Sequence, residues 1–160
     1  MLVNPANVAS EVTRREVQEA APAIGLQILV LDATTIGDID AAFATLARER
    51  ADALFVAPAI LFTSRLAQLV TLAARDRIPA TYSNRDIVAA GGLMSYGTDL
   101  ADTYHQIGVY TGRILKGAKP ADLPVLRSTK FVFAINLQTA RALGIEVPSG
   151  LLSIADEVIE

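Results

Sequence analysis

Short apolar runs alternate with amphipathic stretches along most of this chain, and that rhythm is the sequence form of an α/β fold with a parallel sheet. Strands buried on both faces read as continuous apolar runs, while the helices that cover them show a 3.6-residue period. A first apolar run ends at Val3 and breaks into the turn Asn4-Pro5-Ala6-Asn7. Val17, Ala20, Ala21 and Ile24 then fall at helical spacing, with Glu11, Arg14, Arg15, Gln18 and Glu19 on other faces. Pro22 removes a backbone donor inside that helix, which predicts a kink or an early last turn before Gly25. Leu26 to Leu31, apolar at five of six positions, reads as a strand buried on both sides. Ile39, Ala42, Phe43 and Leu46 form the clearest helical stripe, with Asp38 and Asp40 at its start and Arg48 and Arg50 near its end, as the helix dipole favours.

The series continues with a strand over Ala53 to Val56, a helix with its apolar face at Leu66, Leu69, Val70 and Ala73, and a strand over Ile78 to Tyr82. Ser83-Asn84-Arg85-Asp86 opens a short helix, with Ser83 as the expected cap and Gly91-Gly92 as the stop. A fifth strand runs from Leu93 to Tyr96 and ends at Gly97. From Thr98 the rhythm changes: a long helix over Asp99 to Leu115 closes at Gly117, and Lys119-Pro120-Ala121-Asp122-Leu123-Pro124 forms a stiff extended connection. Phe131, Phe133 and Ile135 alternate in a late strand, Asn136 caps a helix through Leu143, and Gly144 ends it.

Composition narrows the function classes. An apolar fraction of 52% with a net charge of -3 excludes a disordered chain. The 14 Lys and Arg are scattered among 17 Asp and Glu, so there is no electrostatic footprint for nucleic acid. Without a cysteine there is no thiolate nucleophile, disulfide framework or Cys-ligated zinc, and no cofactor or metal is expected. The longest apolar stretch, Ala53 to Phe62, is broken by Pro58 and falls short of the roughly 20 residues of a membrane span.

In an open parallel sheet, ligands bind beyond the carboxyl ends of the strands. Three such ends are candidates: Asn4 to Ser10, Ala57-Pro58-Ala59 and Tyr82-Ser83-Asn84, with Tyr96 flanking a fourth. The polar residues of the first and third sit beside helix N-termini, where they either cap the helix or receive a carboxylate, and the two roles are compatible. Catalytic sets are thin. The sole histidine, His105, lies within the long helix without the Ser and Asp of a triad. Asp32 lacks the acidic pair that a phosphoacceptor needs after the first strand, and Asn4-Pro5-Ala6-Asn7 lacks the glycines of a dinucleotide-binding turn. A small α/β enzyme is therefore disfavoured.

Several stretches resemble the tryptophan/tyrosine-type substrate-binding proteins of ABC transporters, which have the type I periplasmic-binding-protein fold. They are Val3-Asn4-Pro5-Ala6-Asn7, Arg50-Ala51-Asp52-Ala53-Leu54, Ile78-Pro79-Ala80, Gly91-Gly92-Leu93-Met94-Ser95-Tyr96-Gly97 and Ile114 to Val125. Ile135-Asn136-Leu137, Ala142-Leu143-Gly144 and the ending Ala155 to Glu160 continue the match. The resemblance implies a two-lobed protein that closes on a small solute and delivers it to a membrane permease, without catalysis. It assigns Asn4, Asn7 and Ser10 to a first binding loop, Pro58 and Ala59 to a second, and Ser83 and Asn84 to a third; Tyr82 and Tyr96 are aromatic candidates because they flank strand ends. Gly97 to Asp99 matches the crossover to the other lobe. Family members that look specific for aromatic amino acids tend to carry an acid and an amide where this chain has Pro58 and Ala59, and an acid where it has Asn84, so the ligand class stays open between an amino acid, an aromatic acid and other small organic solutes.

The resemblance also implies a division of the chain. Residues 1–97 read as a Rossmann-like ligand-binding lobe, 98–126 as a crossover helix and linker that would belong with a missing first lobe, and 127–160 as the returning strand, helix and tail. Proteins of this type are about twice as long, so the chain is expected to be the C-terminal half of one, whose full-length form is periplasmic. No signal peptide precedes Asn4, and expression from Met1 is expected to leave the product in the cytoplasm. The long helix without its partner lobe is expected to drive a homodimer, with exchange of the Asp99 to Val125 segment as one form of it. A cytoplasmic small-molecule sensor or interaction module of the same fold is the alternative reading.

Overall fold

A computed structural model describes residues 1–160. The expected alternation is present through the fifth strand: β1 (Leu2–Val3), α1 (Val8–Ala20), β2 (Leu31–Asp32), α2 (Ile36–Arg48), β3 (Leu54–Phe55), α3 (Ile60–Ser64), α4 (Leu66–Asp76), β4 (Ala80–Tyr82), α5 (Arg85–Ala89) and β5 (Met94–Thr98). It continues with α6 (Leu100–Leu115), β6 (Phe131–Asn136), α7 (Leu137–Leu143), α8 (Ser149–Ile154) and β7 (Glu157–Ile159). β1 and β2 form a parallel pair, and β3-β4-β5-β6-β7 a five-stranded sheet. A bridge between Leu2 and Val56 and the bond from the Ala57 amide to the Leu2 carbonyl oxygen, 3.0 Å, join the two into one surface with the order β2-β1-β3-β4-β5-β6-β7.

The core follows from alternation. Leu2 faces the helices on one side of the sheet, where it meets Ile39, Phe43 and Leu46 of α2, Phe62 of α3 and Leu69 of α4. Val3 turns to the other side and packs with Met1, Ala57 and Val17 of α1. The main cluster is set by α2, whose stripe was plain in the sequence and whose start carries a capping box between Thr35 and Asp38.

Four expectations need correction. The sheet is mostly parallel, yet β6 runs antiparallel to β5, pairing Thr98 with Phe131 and Met94 with Ile135. The chain leaves the carboxyl end of β5 into α6 and returns from that same end, so the returning strand has to run downward. Leu26 to Val30 forms no strand, and Leu26 and Leu29 are exposed. β1 offers only Met1, Leu2 and Val3 as neighbours, and pairing with the second strand is confined to Leu31 and Asp32. Ile24 is likewise exposed, because Ala21–Ile24 tightens into a 3-10 turn at Pro22 and leaves the helical register, with only Ala21 buried. The cap of α5 is Asn84, whose Oδ1 accepts from the Asp86 amide at 2.9 Å, and not Ser83.

α6 buries none of its 16 residues. With the extended segment after it, anchored where the Tyr110 hydroxyl donates to the Pro124 carbonyl oxygen at 2.7 Å, it forms an arm beyond the carboxyl end of the sheet. The arm leaves through Asp99 and returns through Lys130. The Asp99 amide donates to the Lys130 carbonyl oxygen at 2.9 Å and the two side chains form an ion pair at 2.9 Å.

Candidate functional site

The loops after β1 and β3 are stitched together. Ser10 is fully buried at the start of α1, and its hydroxyl donates to the Pro58 carbonyl oxygen at 3.0 Å while accepting from the Asn4 amide at 3.3 Å. Asn4 folds its own loop: its Oδ1 accepts from the Ala6 amide at 2.9 Å, and its carbonyl oxygen accepts from the Asn7 amide at 3.0 Å. Asn7 caps α1 by accepting from the Ser10 amide at 3.1 Å, the local role that its residue type favours. Asn7, Pro58 and Ala59 line one open concavity of about 490 Å³ with Ala9, Ile60, Thr63 and Ser64. None of these seven side chains is charged, and the hollow offers an amide and two hydroxyls against apolar contact from Pro58 and Ile60.

The next strand end lies alongside. β4 and β5 pair Tyr82 with Ser95, which sets Ser83 beside Tyr96 and Gly97. A Cβ on Gly97 would lie 1.9 Å from the Ser83 carbonyl oxygen, so the loop after β4 rests directly on the β5 backbone. Tyr96 stands out from the sheet at 63% exposure and stacks on Phe131, ring centres 5.5 Å apart and planes 10° from parallel. This aromatic pair sits where β5 leaves for the arm and β6 returns.

Asn4, Asn7, Pro58, Ala59, Ser83 and Asn84 thus stand in the loops at the carboxyl ends of β1, β3 and β4, with Ser10 in the first turn of α1 and Tyr96 within β5. Tyr82 does not present its ring there. It is 1% exposed, and its Cε2 is 2.9 Å from where a Cβ on Gly92 would stand, which turns it toward the α5–β5 turn. Sequence reasoning missed Ile60, Thr63 and Phe131. Phe131 was legible as strand alternation, but its pairing with Tyr96 required the antiparallel turn-round. α3 had no signal, since Ile60 to Thr63 reads as strand and Ala59 supplies no side-chain cap.

No group of His, Cys, Asp and Glu side chains is arranged to hold a metal, and no helix is long and apolar enough to cross a membrane. His105 lies exposed on α6.

A sheet with helices on both faces and a run of short polar loops at one set of strand ends is the architecture of a protein that binds ligands at its sheet edge. Residues 1–159 match the family described as ABC transporter substrate binding protein, and the chain belongs to that family. It is similar to the ABC domain solved in complex with L-Trp from Streptococcus pneumoniae, with 27% identity and a TM-score of 0.89 over 99% of this chain and 55% of that one. A conserved domain protein from Vibrio cholerae has the same fold, with 22% identity and a TM-score of 0.89 over 98% of this chain and 53% of that one. So does the ligand-free, open form of a substrate binding protein with adhesive properties from Clostridium difficile, at 24% identity and a TM-score of 0.70, covering 99% and 52%. The chain therefore spans about half the length of these structures. No curated protein matches it.

Proposed function

We propose that this chain is the ligand-gripping C-terminal lobe of a solute-binding component of an ABC importer, holding a small organic solute by contact alone and presenting it to a permease. The observation that carries this reading is the convergence of the loops after β1 and β3 on one uncharged concavity, with the Ser83-Asn84 loop and the Tyr96–Phe131 stack on the neighbouring strand ends. In this reading Asn4, Asn7, Pro58, Ala59, Ser83, Asn84 and Tyr96 face the solute and Ser10 fixes the loops that carry them. The arm from Asp99 to Lys130 is the crossover, its apolar face covered by the other lobe of the full-length protein, which works outside the cytoplasmic membrane.

The uncharged lining favours a ligand whose contact with this lobe is amide-like or aromatic. A free ammonium group is disfavoured here, because no carboxylate lines the hollow. The single-lobe protein binds weakly, since half of the contacts and the closure are supplied elsewhere.

Amide shifts of the isotope-labelled chain against a panel of amino acids, aromatic acids and small amides test the reading. The expected result is weak binding by one chemical class, mapped onto residues 4–10, 57–64, 83–84 and 96. A panel that moves none of these loops overturns it. The sensor alternative predicts instead sub-micromolar binding by the single lobe.

A further inference from the structure

An asparagine side chain ends in one acceptor and one donor group, so the partner of the first decides what the second is free to do. Three asparagines stand in the loops of the proposed solute site, and each commits its oxygen to its own loop. Asn4 Oδ1 accepts from the Ala6 amide at 2.9 Å, Asn7 Oδ1 from the Ser10 amide at 3.1 Å and Asn84 Oδ1 from the Asp86 amide at 2.9 Å. A backbone N–H can meet only the oxygen, so these bonds fix which end of each side chain turns outward. The three Nδ2 groups make no hydrogen bond within the chain, and none of them is a buried unpartnered atom, so all three are open to solvent.

The chain's one other asparagine behaves differently. Asn136 also caps a helix, its Oδ1 accepting from the Thr139 amide at 3.0 Å, but it is buried and its Nδ2 donates to the Val88 carbonyl oxygen at 3.2 Å. Because β6 runs antiparallel to β5, Asn136 lies at the opposite side of the sheet from the loops after β1, β3 and β4. The free amide donors are thus confined to the side that carries the concavity.

No charged acceptor offsets them. Glu11 and Asp86, in the first turns of α1 and α5, pair with Arg14 and Arg85, and the remaining Glu11 oxygen, Oε1, has almost no accessible surface. In the concavity itself the Thr63 and Ser64 hydroxyls donate to the Ala59 and Leu61 carbonyl oxygens at 3.3 and 2.8 Å, which leaves only uncharged lone pairs. An ammonium group carries donors and no acceptor, so it would set donor against donor at the asparagines and lose water without a carboxylate to replace it.

We propose that this lobe grips its solute by oxygen: Asn7 in the wall of the concavity, with Asn4 and Asn84 in the flanking loops, donates through Nδ2 to a carboxylate or a carboxamide carbonyl. The inference rests on the solute site described above and specifies the polarity of its grip. An amino acid held here turns its carboxylate, and not its ammonium, toward these loops.

Phenylacetate, phenylacetamide and 2-phenylethylamine share a ring and differ in the polar end, and their titration into the isotope-labelled chain tests the inference. At about 10 mM, where even very weak sites fill, the acid and the amide are expected to move amides of residues 4–10 and 57–64, and the amine is not. Asn7→Asp keeps the cap of α1, since Asp accepts from the Ser10 amide as Asn does, but exchanges the NH2 group for an anionic oxygen. It is expected to weaken phenylacetate about tenfold, the scale of one lost hydrogen bond, and to admit the amine, with the melting temperature held or raised. Asn136→Asp strips the Val88 carbonyl oxygen of its donor and is expected to lower the melting temperature. An equal loss in Asn7→Asp would show that the Asn7 NH2 group is engaged in the fold, and would overturn the inference. Amine binding at these loops as tight as that of the acid or the amide, or an unchanged ranking in Asn7→Asp, would overturn it while leaving the solute site in place. A series in which no compound moves these loops overturns the inference together with the site.

Discussion

The hydroxyl of Ser10 donates to the carbonyl oxygen of Pro58 at 3.0 Å, linking residues 48 positions apart. The bond continues the β1–β3 contact past the end of the sheet, where backbone pairing stops after Leu2 and Ala57. It holds the two loops that form the uncharged concavity at one spacing.

Ser10→Ala therefore leaves the Pro58 carbonyl oxygen and the Asn4 amide, both half-buried, without their side-chain partner. The expected cost is about 1–3 kcal/mol of stability, read as a lower urea midpoint with an unchanged slope. Solute binding at the concavity is expected to fall with it. A variant with wild-type stability would show that the bond does not hold the loops.

Gly97 is the second fixed point. Its φ is not in the left-handed region, so space alone demands glycine: a Cβ would sit 1.9 Å from the Ser83 carbonyl oxygen and 2.8 Å from the Ser83 carbonyl carbon. Both are backbone atoms held by neighbouring strands, and neither yields as a flexible side chain would. Gly97→Ala is expected to destabilise by about 1–3 kcal/mol or more, as overpacking does, and to move the amide resonances of Ser83, Asn84 and Tyr96. Gly108→Ala, in open space on α6, is the control and is expected to be neutral or slightly stabilising.

The fold was legible where one residue acts locally. Asn7 and Asn136 cap the helices they precede, Gly144 ends α7 in a left-handed turn, and the Ile39, Ala42, Phe43, Leu46 stripe is buried as its period implies. It was illegible where a neighbour decides. Leu26 to Val30 has the composition of an inner strand but almost no strand beside it, and α8 and β7 carry too short a pattern to show a period. The direction of β6 depends on where the arm re-enters, a property of the path rather than of Phe131 to Asn136. At the candidate site, strand-end position was readable for Asn4, Asn7 and Pro58, but the inward turn of Tyr82 depends on the space left by Gly92, ten positions later.

Asp38 gives the fold a defined acid limit. The Thr34 amide, then the Thr34 hydroxyl and the Thr35 amide, each donate to its Oδ2 at 2.9 Å, and they hold the carboxyl down at about 2. A carboxyl lowered in the folded state stabilises it above the unfolded value, about 3.9 for Asp, and that contribution fades as pH falls from there through about 2. Asp38→Asn is expected to lower the urea midpoint at pH 6 and to lose that difference at pH 2. A gap that stays constant with pH would assign the effect to geometry rather than charge.

The arm bears on what these 160 residues do when expressed alone. Tyr104, Ile107 and Leu115 on α6 and Val125 in the segment after it are exposed, and no residue of α6 is buried, so the apolar surface gained by forming this helix lies uncovered. Apolar surface of that extent is covered by another chain in most stable proteins. On the proposed two-lobe reading the other lobe would cover it, and in the isolated chain a second copy is the surface at hand. We therefore expect a homodimer at micromolar concentration, built on the arm, with exchange of residues 99–125 as its swapped form. Paired substitution of Ile107 and Val125 by Lys is expected to give a folded monomer by light scattering, with the circular dichroism spectrum retained. A wild-type chain that is monomeric at that concentration, or a paired variant that still dimerises, would remove the arm as the interface.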